Sequence, residues 1–257
     1  MPRKARKISS TKVYHVILRG NDRQDIFLDI QDYKKFIKEI KNTKEKYGYE
    51  LYAYCLMSNH VHLVIYDKND VLSCIMKSLE LLYSAYFSKK YNREGHLFQN
   101  RFLSKEIEER GYLMQVCRYI HQNPVKAKIS KIDKYKWSSF CEYVAGEKLI
   151  SAQILLRLFG NTKNEAVENF KKFHNLFEDN LNEEYEYELE GKLNDIELKN
   201  KIEKILNIKD AREISKYNTK IRDEKIRKLN IIKGVSKAQI SRVLGMNKKT
   251  VERIMKQ

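Results

Sequence analysis

His60 and His62 stand one residue apart in the run Ser58-Asn59-His60-Val61-His62-Leu63-Val64. Flanking stretches rich in β-branched and aromatic residues, Leu51 to Met57 and Val61 to Ile65, predict a strand on each side. Residues i and i+2 of a strand share a face, so both imidazoles project side by side while Val61 and Leu63 face the other way. Such a pair on a rigid sheet can hold a divalent cation and leave positions open for a phosphate oxygen. Taken alone, the same pattern also serves plain packing.

A second cluster, Cys117-Arg118-Tyr119-Ile120-His121-Gln122-Asn123-Pro124-Val125-Lys126-Ala127, gives the pair a context. From Glu108 onward, Leu113, Val116 and Ile120 recur at helical spacing, and Pro124 is expected to end that helix. Tyr119 and Asn123 are four apart and share one face, with Asn123 in the last turn. A tyrosine hydroxyl, an amide oxygen and two histidines make up the parts of a metal-assisted phosphoryl transfer: a nucleophile and three neutral ligands. A free tyrosine titrates near pH ~10, so the hydroxyl needs help to ionise. The sequence does not identify the helper: His121 and Lys126 are close, but the helix turns His121 away. Tyr119 is also one of 17 tyrosines, so a packing role stays open.

These groups need a scaffold, and the chain supplies its elements in order. A first strand, Lys12 to Arg19, precedes a polar turn at Gly20-Asn21-Asp22. Asp29 or Asp32 starts a helix through Tyr33, Phe36, Ile37 and Ile40 that Gly48 ends. Strands Tyr49–Met57 and His60–Tyr66 form a hairpin about Ser58-Asn59. Asp70 caps a helix reaching about Lys90, and Phe98 to Ile107 is a further strand before the Tyr119 helix. This β-α-β-β-α-β order predicts an α+β, ferredoxin-like antiparallel sheet with helices on one face. The sheet carries the histidines on one side and receives the tyrosine helix against it.

Charge is unevenly placed. The chain has 257 residues and a net charge of +17. Residues 1–160 hold 29 basic and 17 acidic residues, residues 161–194 hold 4 and 9, and residues 195–257 hold 18 and 8. Two basic blocks about an acidic stretch predict two phosphate-binding modules and a solvated connector. The corresponding division is a domain at 1–150, a helical and acidic linker region at 151–194, and a small all-α domain at 195–257. Four dispersed cysteines without a CxxC pair argue against a zinc ribbon or a disulfide framework. No apolar run approaches a membrane span and no signal peptide is visible, so the expected location is cytoplasmic.

The run from Gly234 to Ile254 reads as helix, tight turn at Gly245, helix, packed through Ile240, Val243, Leu244, Val251 and Ile254. Ile221–Ile232 supplies a support helix, giving a helix-turn-helix whose second helix presents Lys248, Lys249, Thr250 and Arg253 to a major groove. A three-helix bundle docking onto protein is the alternative. Phe177–Glu190 reads as a partly ordered acidic linker.

Taken together, His60-Val61-His62 after Met57-Ser58-Asn59, with Tyr119 through Ala127 later in the chain, resembles the single-tyrosine HUH transposases, and among them the REP-associated tyrosine transposases. Tyr14 to Asn21, Gly95 to Phe102 and Trp137-Ser138-Ser139-Phe140 agree, so the resemblance spans residues 10–146. It implies that Tyr119 attacks a phosphodiester of single-stranded DNA, forming a 5′-phosphotyrosine and releasing a 3′-hydroxyl. It further implies that His60 and His62 hold Mg²⁺ or Mn²⁺ with Asn123 as the amide ligand. The implied substrate is hairpin or repeat DNA, the implied state a monomer or homodimer, and duplex DNA is the expected partner of the tail. The tail itself departs from compact family members, which end near the Trp137 motif. Arg19, Asn21, Arg23, Arg101 and Lys105 are candidates to meet the DNA backbone, and Phe98 and Tyr14 to stack on unpaired bases. Trp137 is read as a core or domain-closing residue. Two competing readings remain: a sequence-specific DNA-binding regulator that does not cut, and a metal-dependent nuclease that uses water and has no need of Tyr119.

Overall fold

The computed structural model describes residues 6–99, 101–146, 148–176, 195–232 and 235–256. Its centre is a four-stranded sheet of β1 (Val13–Arg19), β2 (Glu50–Leu56), β3 (His60–Tyr66) and β4 (Leu103–Glu106), in the order β2-β3-β1-β4. Every neighbouring pair is antiparallel, as the ferredoxin-like arrangement requires. Opposite residues include Arg19 with His60, Ile17 with His62, His15 with Val64, and His15 with Lys105 across the other edge of β1. Strand alternation therefore sets His15, Ile17 and Arg19 on the same face as His60, His62 and Val64. Val16, Leu18, Val61, Leu63 and Ile65, all but inaccessible to solvent, face the other way.

Helices α1 (Ile30–Tyr47) and α2 (Leu72–Tyr91) pack on each other through Phe36 and Tyr83. Both expected caps of α1 act together: Asp29 accepts from the Gln31 and Asp32 backbone, while the Asp32 carboxylate accepts from Asp29 N. Gly48 closes the helix in the left-handed region. Asp70, by contrast, does not cap α2. Val71 holds that position, and the carboxylate that meets the Leu72 N–H (2.6 Å) belongs to Asp67, since Asp70 has a positive φ and pairs with Lys12.

The expected strand Phe98–Ile107 is only four residues long, Leu103–Glu106; Phe98 contributes one isolated bridge to Gly20. Gly20 is where chain segments crowd: its N–H donates to Asn59 O, and a Cβ there would lie 2.1 Å from Gln24 O. This contact seats the hairpin tip before His60 against the end of β1.

Helix α3 (Arg110–Lys126) begins two residues later than expected and runs through Pro124 instead of stopping before it. A proline within the last turn costs little here, because residues beyond it close the helix end. Lys128, at φ 56°, donates to Val125 O, and Ile129 donates to Pro124 O. Short helices α4 (Phe140–Ala145) and α5 (Ala152–Leu156), then α6 (Lys163–Asn175), complete the first compact unit, which spans residues 1–178. Trp137 is half-buried, stacked on Tyr33 with ring centroids 4.6 Å apart, and its carbonyl accepts from Leu56 N.

The second unit, residues 179–257, is helical where it is described: α7 (Asp195–Leu206), α8 (Thr219–Lys228), α9 (Lys237–Leu244) and α10 (Lys248–Lys256). Its core includes Leu198, Ile202, Ile226, Ile240, Leu244, Val251 and Ile254. Gly245, at φ 66°, makes the tight turn between α9 and α10. The support helix is shorter than the expected 221–232, because α8 gives way to a 3-10 turn at Leu229–Ile231. The acidic stretch Phe177–Glu190 lies outside the described residues.

Candidate active site

β3 presents His60 and His62 as neighbours on one face, ring centroids 4.9 Å apart and edge to face. α3 brings Tyr119 to the same face, its ring 5.6 Å from that of His62 and nearly perpendicular to it. The two groups are 57 positions apart in the chain, so only the fold unites them. Tyr119 is 5% exposed. The ammonium of Lys126, two helical turns on, lies 4.3 Å from the centroid of the phenol ring.

Each imidazole is anchored through its Nδ1. His60 Nδ1 is 2.6 Å from Asn59 Oδ1, an atom that only accepts, so the ring proton sits on Nδ1 and the Nε2 lone pair is left for a ligand. His62 Nδ1 is 3.1 Å from Nε2 of His15, a buried histidine of β1. Asn123 spends its amide N–H on Tyr119 O (2.9 Å), and its side chain reaches the His60 ring. The Asn123 side chain and the His60 ring thus meet beside His62.

This donor set suits a divalent cation, which would be held by His60, His62 and Asn123. It needs the amide: among the described residues no three His, Cys, Asp or Glu side chains gather as a metal site.

Burial keeps the imidazoles neutral. It holds His60 down to about 4, with Arg19 adding to the effect and Asn123 opposing it. His62 lies well below its usual range through burial and the neighbouring His60 and His15. His15 is held to about 3 by burial and by Lys105. Neutral rings are the form that binds a metal.

The remaining candidates divide by location. Arg19 stands opposite His60 at the site's edge, and Lys105 opposite His15 on the same face. Asn21 and Arg23 share one 3-10 turn, in which Asn21 N donates to Leu97 O and Arg23 O accepts from Asn59 at the hairpin tip. Arg101 is exposed. Phe98 and Tyr14 are not stacking platforms: both are buried, and the Tyr14 hydroxyl accepts from Ser9 N. Lys248, Lys249 and Arg253 are exposed on α10, with Thr250 half-buried, in the second unit. His121 faces away from Tyr119, bonded to His174 and Ser139.

Sequence reasoning misses the roles of three residues of the site. Asn59 and His15 fall within the motifs but gain no role from them, although period-two alternation along β1 sets His15 on the histidine face. Lys126 is near Tyr119 in the chain, yet spacing alone does not single it out.

No curated protein matches this chain. One solved structure similar to it is a REP-associated tyrosine transposase bound to a REP hairpin, at 18% identity and TM-score 0.49, covering 60% of this chain and 93% of that one. Another is a candidate transposase of Deinococcus radiodurans R1, at 19% identity and TM-score 0.34, covering 47% of this chain and 97% of that one. The family model "Transposase IS200 like" matches residues 9–123, a span that takes in His15, the His60–His62 pair, Tyr119 and Asn123. Over residues 9–123, then, the chain is similar to the IS200-like transposases.

Proposed function

We propose that the protein is a DNA strand transferase that nicks and rejoins single-stranded DNA through Tyr119, with Mg²⁺ or Mn²⁺ at His60, His62 and Asn123. The observation that carries this reading is the meeting of the Tyr119 ring with the His62 ring, 5.6 Å apart, beside the Asn123 side chain. A bound cation would polarise the scissile phosphate and offset charge on the leaving oxygen. The phenolate oxygen of Tyr119 attacks phosphorus, the bond to the 3′-oxygen breaks, and that oxygen takes up a proton as the 3′-hydroxyl. Rejoining is the reverse, with a 3′-hydroxyl attacking the phosphotyrosine. Lys126, beside the phenol ring, favours the phenolate. Arg19 and Lys105, on the same sheet face, suit the phosphates that flank the reacting one.

The expected substrate is a hairpin-forming repeat or element end, and α10 adds a duplex contact through Lys248, Lys249 and Arg253, with Thr250 beside them. Among the described residues no helix is long and apolar enough to cross a membrane.

A second reading, a DNA-binding regulator that does not cut, draws support from the second unit, where α9 and α10 meet at the Gly245 turn. Incubation with a pool of single-stranded hairpin DNAs and Mn²⁺, then denaturing electrophoresis and peptide mass spectrometry, separates the readings. A covalent adduct on Tyr119, lost in Tyr119→Phe and with EDTA, is the expected result. Binding without any adduct favours the regulator. Cleavage that persists in Tyr119→Phe means hydrolysis by water and removes the tyrosine from the mechanism.

A further inference from the structure

We infer that His15 is a positioning residue that fixes the tautomer of His62 and so aims the His62 Nε2 lone pair into the metal site, an inference that rests on His60, His62 and Asn123 holding the cation. His15 and His62 are 1% and 2% exposed, stacked at 25° with ring centroids 5.3 Å apart, and joined by the 3.1 Å contact between His15 Nε2 and His62 Nδ1. One proton lies between those two nitrogens, and it can belong to either. If His15 Nε2 carries it, His62 accepts at Nδ1, must hold its own proton at Nε2, and cannot ligate there. If His62 Nδ1 carries it, His15 accepts, and His62 Nε2 is bare. The second arrangement alone makes His62 a ligand through Nε2, and it demands an acceptor where His15 Nε2 stands.

The contact of His62 Nδ1 within the described residues is His15, whose far nitrogen, Nδ1, is buried without a hydrogen-bond partner. In the arrangement that bares His62 Nε2, His15 carries its own proton at that Nδ1, a buried donor whose cost the pairing with His62 must offset. His15 also backs the nucleophile, its ring meeting that of Tyr119 edge-on at 6.2 Å. One side chain therefore touches both the ligand and the phenol that must act beside it.

The test uses the full chain and Mn²⁺ alone as probe. Isothermal titration of Mn²⁺, with the free ion tracked by electron paramagnetic resonance, compares wild type with His15→Phe, His15→Gln and His62→Ala. His15→Phe keeps a ring but removes the acceptor, and its Mn²⁺ affinity falls by about 10–100-fold. His15→Gln offers an amide oxygen to the His62 Nδ1–H and recovers most of that loss. Long-range ¹H–¹⁵N spectra of the metal-free wild type show His62 protonated at Nδ1, a readout that does not depend on either variant folding. Unchanged Mn²⁺ affinity in His15→Phe, or His62 protonated at Nε2 in the wild type, overturns the inference while leaving the metal reading intact. Unchanged affinity in His62→Ala overturns the metal reading itself.

Discussion

The Lys126 ammonium lies 4.3 Å from the centre of the Tyr119 ring, held there because residues seven apart share a helix face. A cation so close to a buried phenol favours its ionised form. Lys126→Met is therefore expected to lower the rate of Tyr119 adduct formation at neutral pH by roughly tenfold or more. Mn²⁺ affinity should stay within about twofold, because Lys126 is not among the proposed ligands. The check is the pH dependence of single-turnover cleavage: in the variant the rising limb moves to higher pH. An unmoved limb removes Lys126 from the chemistry.

Acid should unfold the first unit earlier than its net charge alone suggests. His15, His62, His121 and His174 are all buried, and burial lowers each pKa in the fold, to about 3 for His15 and His174 and well below the usual range for the other two. The unfolded chain takes up protons near pH ~6.5, whereas the native rings do not. Stability is thus fully present above that pH and falls as pH drops below it, down to the native pKa values. Each such ring contributes a slope of at most about 1.4 kcal/mol per pH unit. Urea midpoints measured from pH 7.5 to 4.5 should fall steadily below pH 6.5. A flat profile would contradict the buried, neutral state of these rings.

His60 depends on its neighbour in sequence. The Asn59 side-chain oxygen, 2.6 Å from His60 Nδ1, holds the ring with Nε2 bare. Asn59→Ala removes that acceptor and is expected to weaken Mn²⁺ binding by about 10–100-fold, with little change in thermal stability because the site is only half-buried. Calorimetric titration beside a melting curve reads both. Unchanged affinity means that the His60 ring is oriented by the strand alone.

How much of this is legible in the sequence varies with how local the cause is. The Asp29 cap, the Gly48 stop and the His60–His62 face follow from short-range patterns and stand in the fold as the pattern predicts. Asp70 misleads because Asp67, three residues earlier, reaches the helix end first, a matter of how β3 leads into α2. Pro124 misleads because the helix end is closed by residues 128 and 129, beyond the proline. His15 is hidden for another reason: its partner stands 47 positions away across a strand pairing, and only the register of β1 against β3 puts the two rings together. Helical periodicity correctly turns His121 away from Tyr119, but its partner, His174 on α6, belongs to no motif.

That partner anchors the tyrosine helix from behind. His174 Nδ1 donates to Phe170 O (2.9 Å), so its Nε2 must accept from His121 Nδ1 (3.0 Å), and His121 Nε2 accepts from Ser139 Oγ (2.8 Å). Gln122 of α3 adds a hydrogen bond to His174 O (2.8 Å). His174→Leu fills similar space but leaves the His121 Nδ1–H buried without an acceptor, at a cost of about 1–3 kcal/mol. Urea denaturation of the first unit should show this loss. Because α3 carries both Tyr119 and Asn123, adduct formation should slow and Mn²⁺ affinity should fall with it. A stability equal to wild type would mean that His121 finds another acceptor and the relay does not hold the helix.

The second unit offers a prediction of a different kind. Lys248, Lys249 and Arg253 project from α10 into solvent, and Gly245 sets α10 against α9 through a tight turn. If α10 enters a major groove, phosphate contacts made by such residues release counterions, and each contributes close to one unit of slope in log Kd against log salt. Lys248→Ala and Lys249→Ala should each weaken duplex binding uniformly across sequences and reduce that slope by about 1. Arg253→Ala, further along α10, should cost about 1–3 kcal/mol at particular base positions where its guanidinium reads a guanine edge. Fluorescence anisotropy with labelled duplexes over a salt series measures both effects. Slopes that stay at the wild-type value in all three variants assign α10 to a protein partner, and duplex contact must then be sought on another face of the unit.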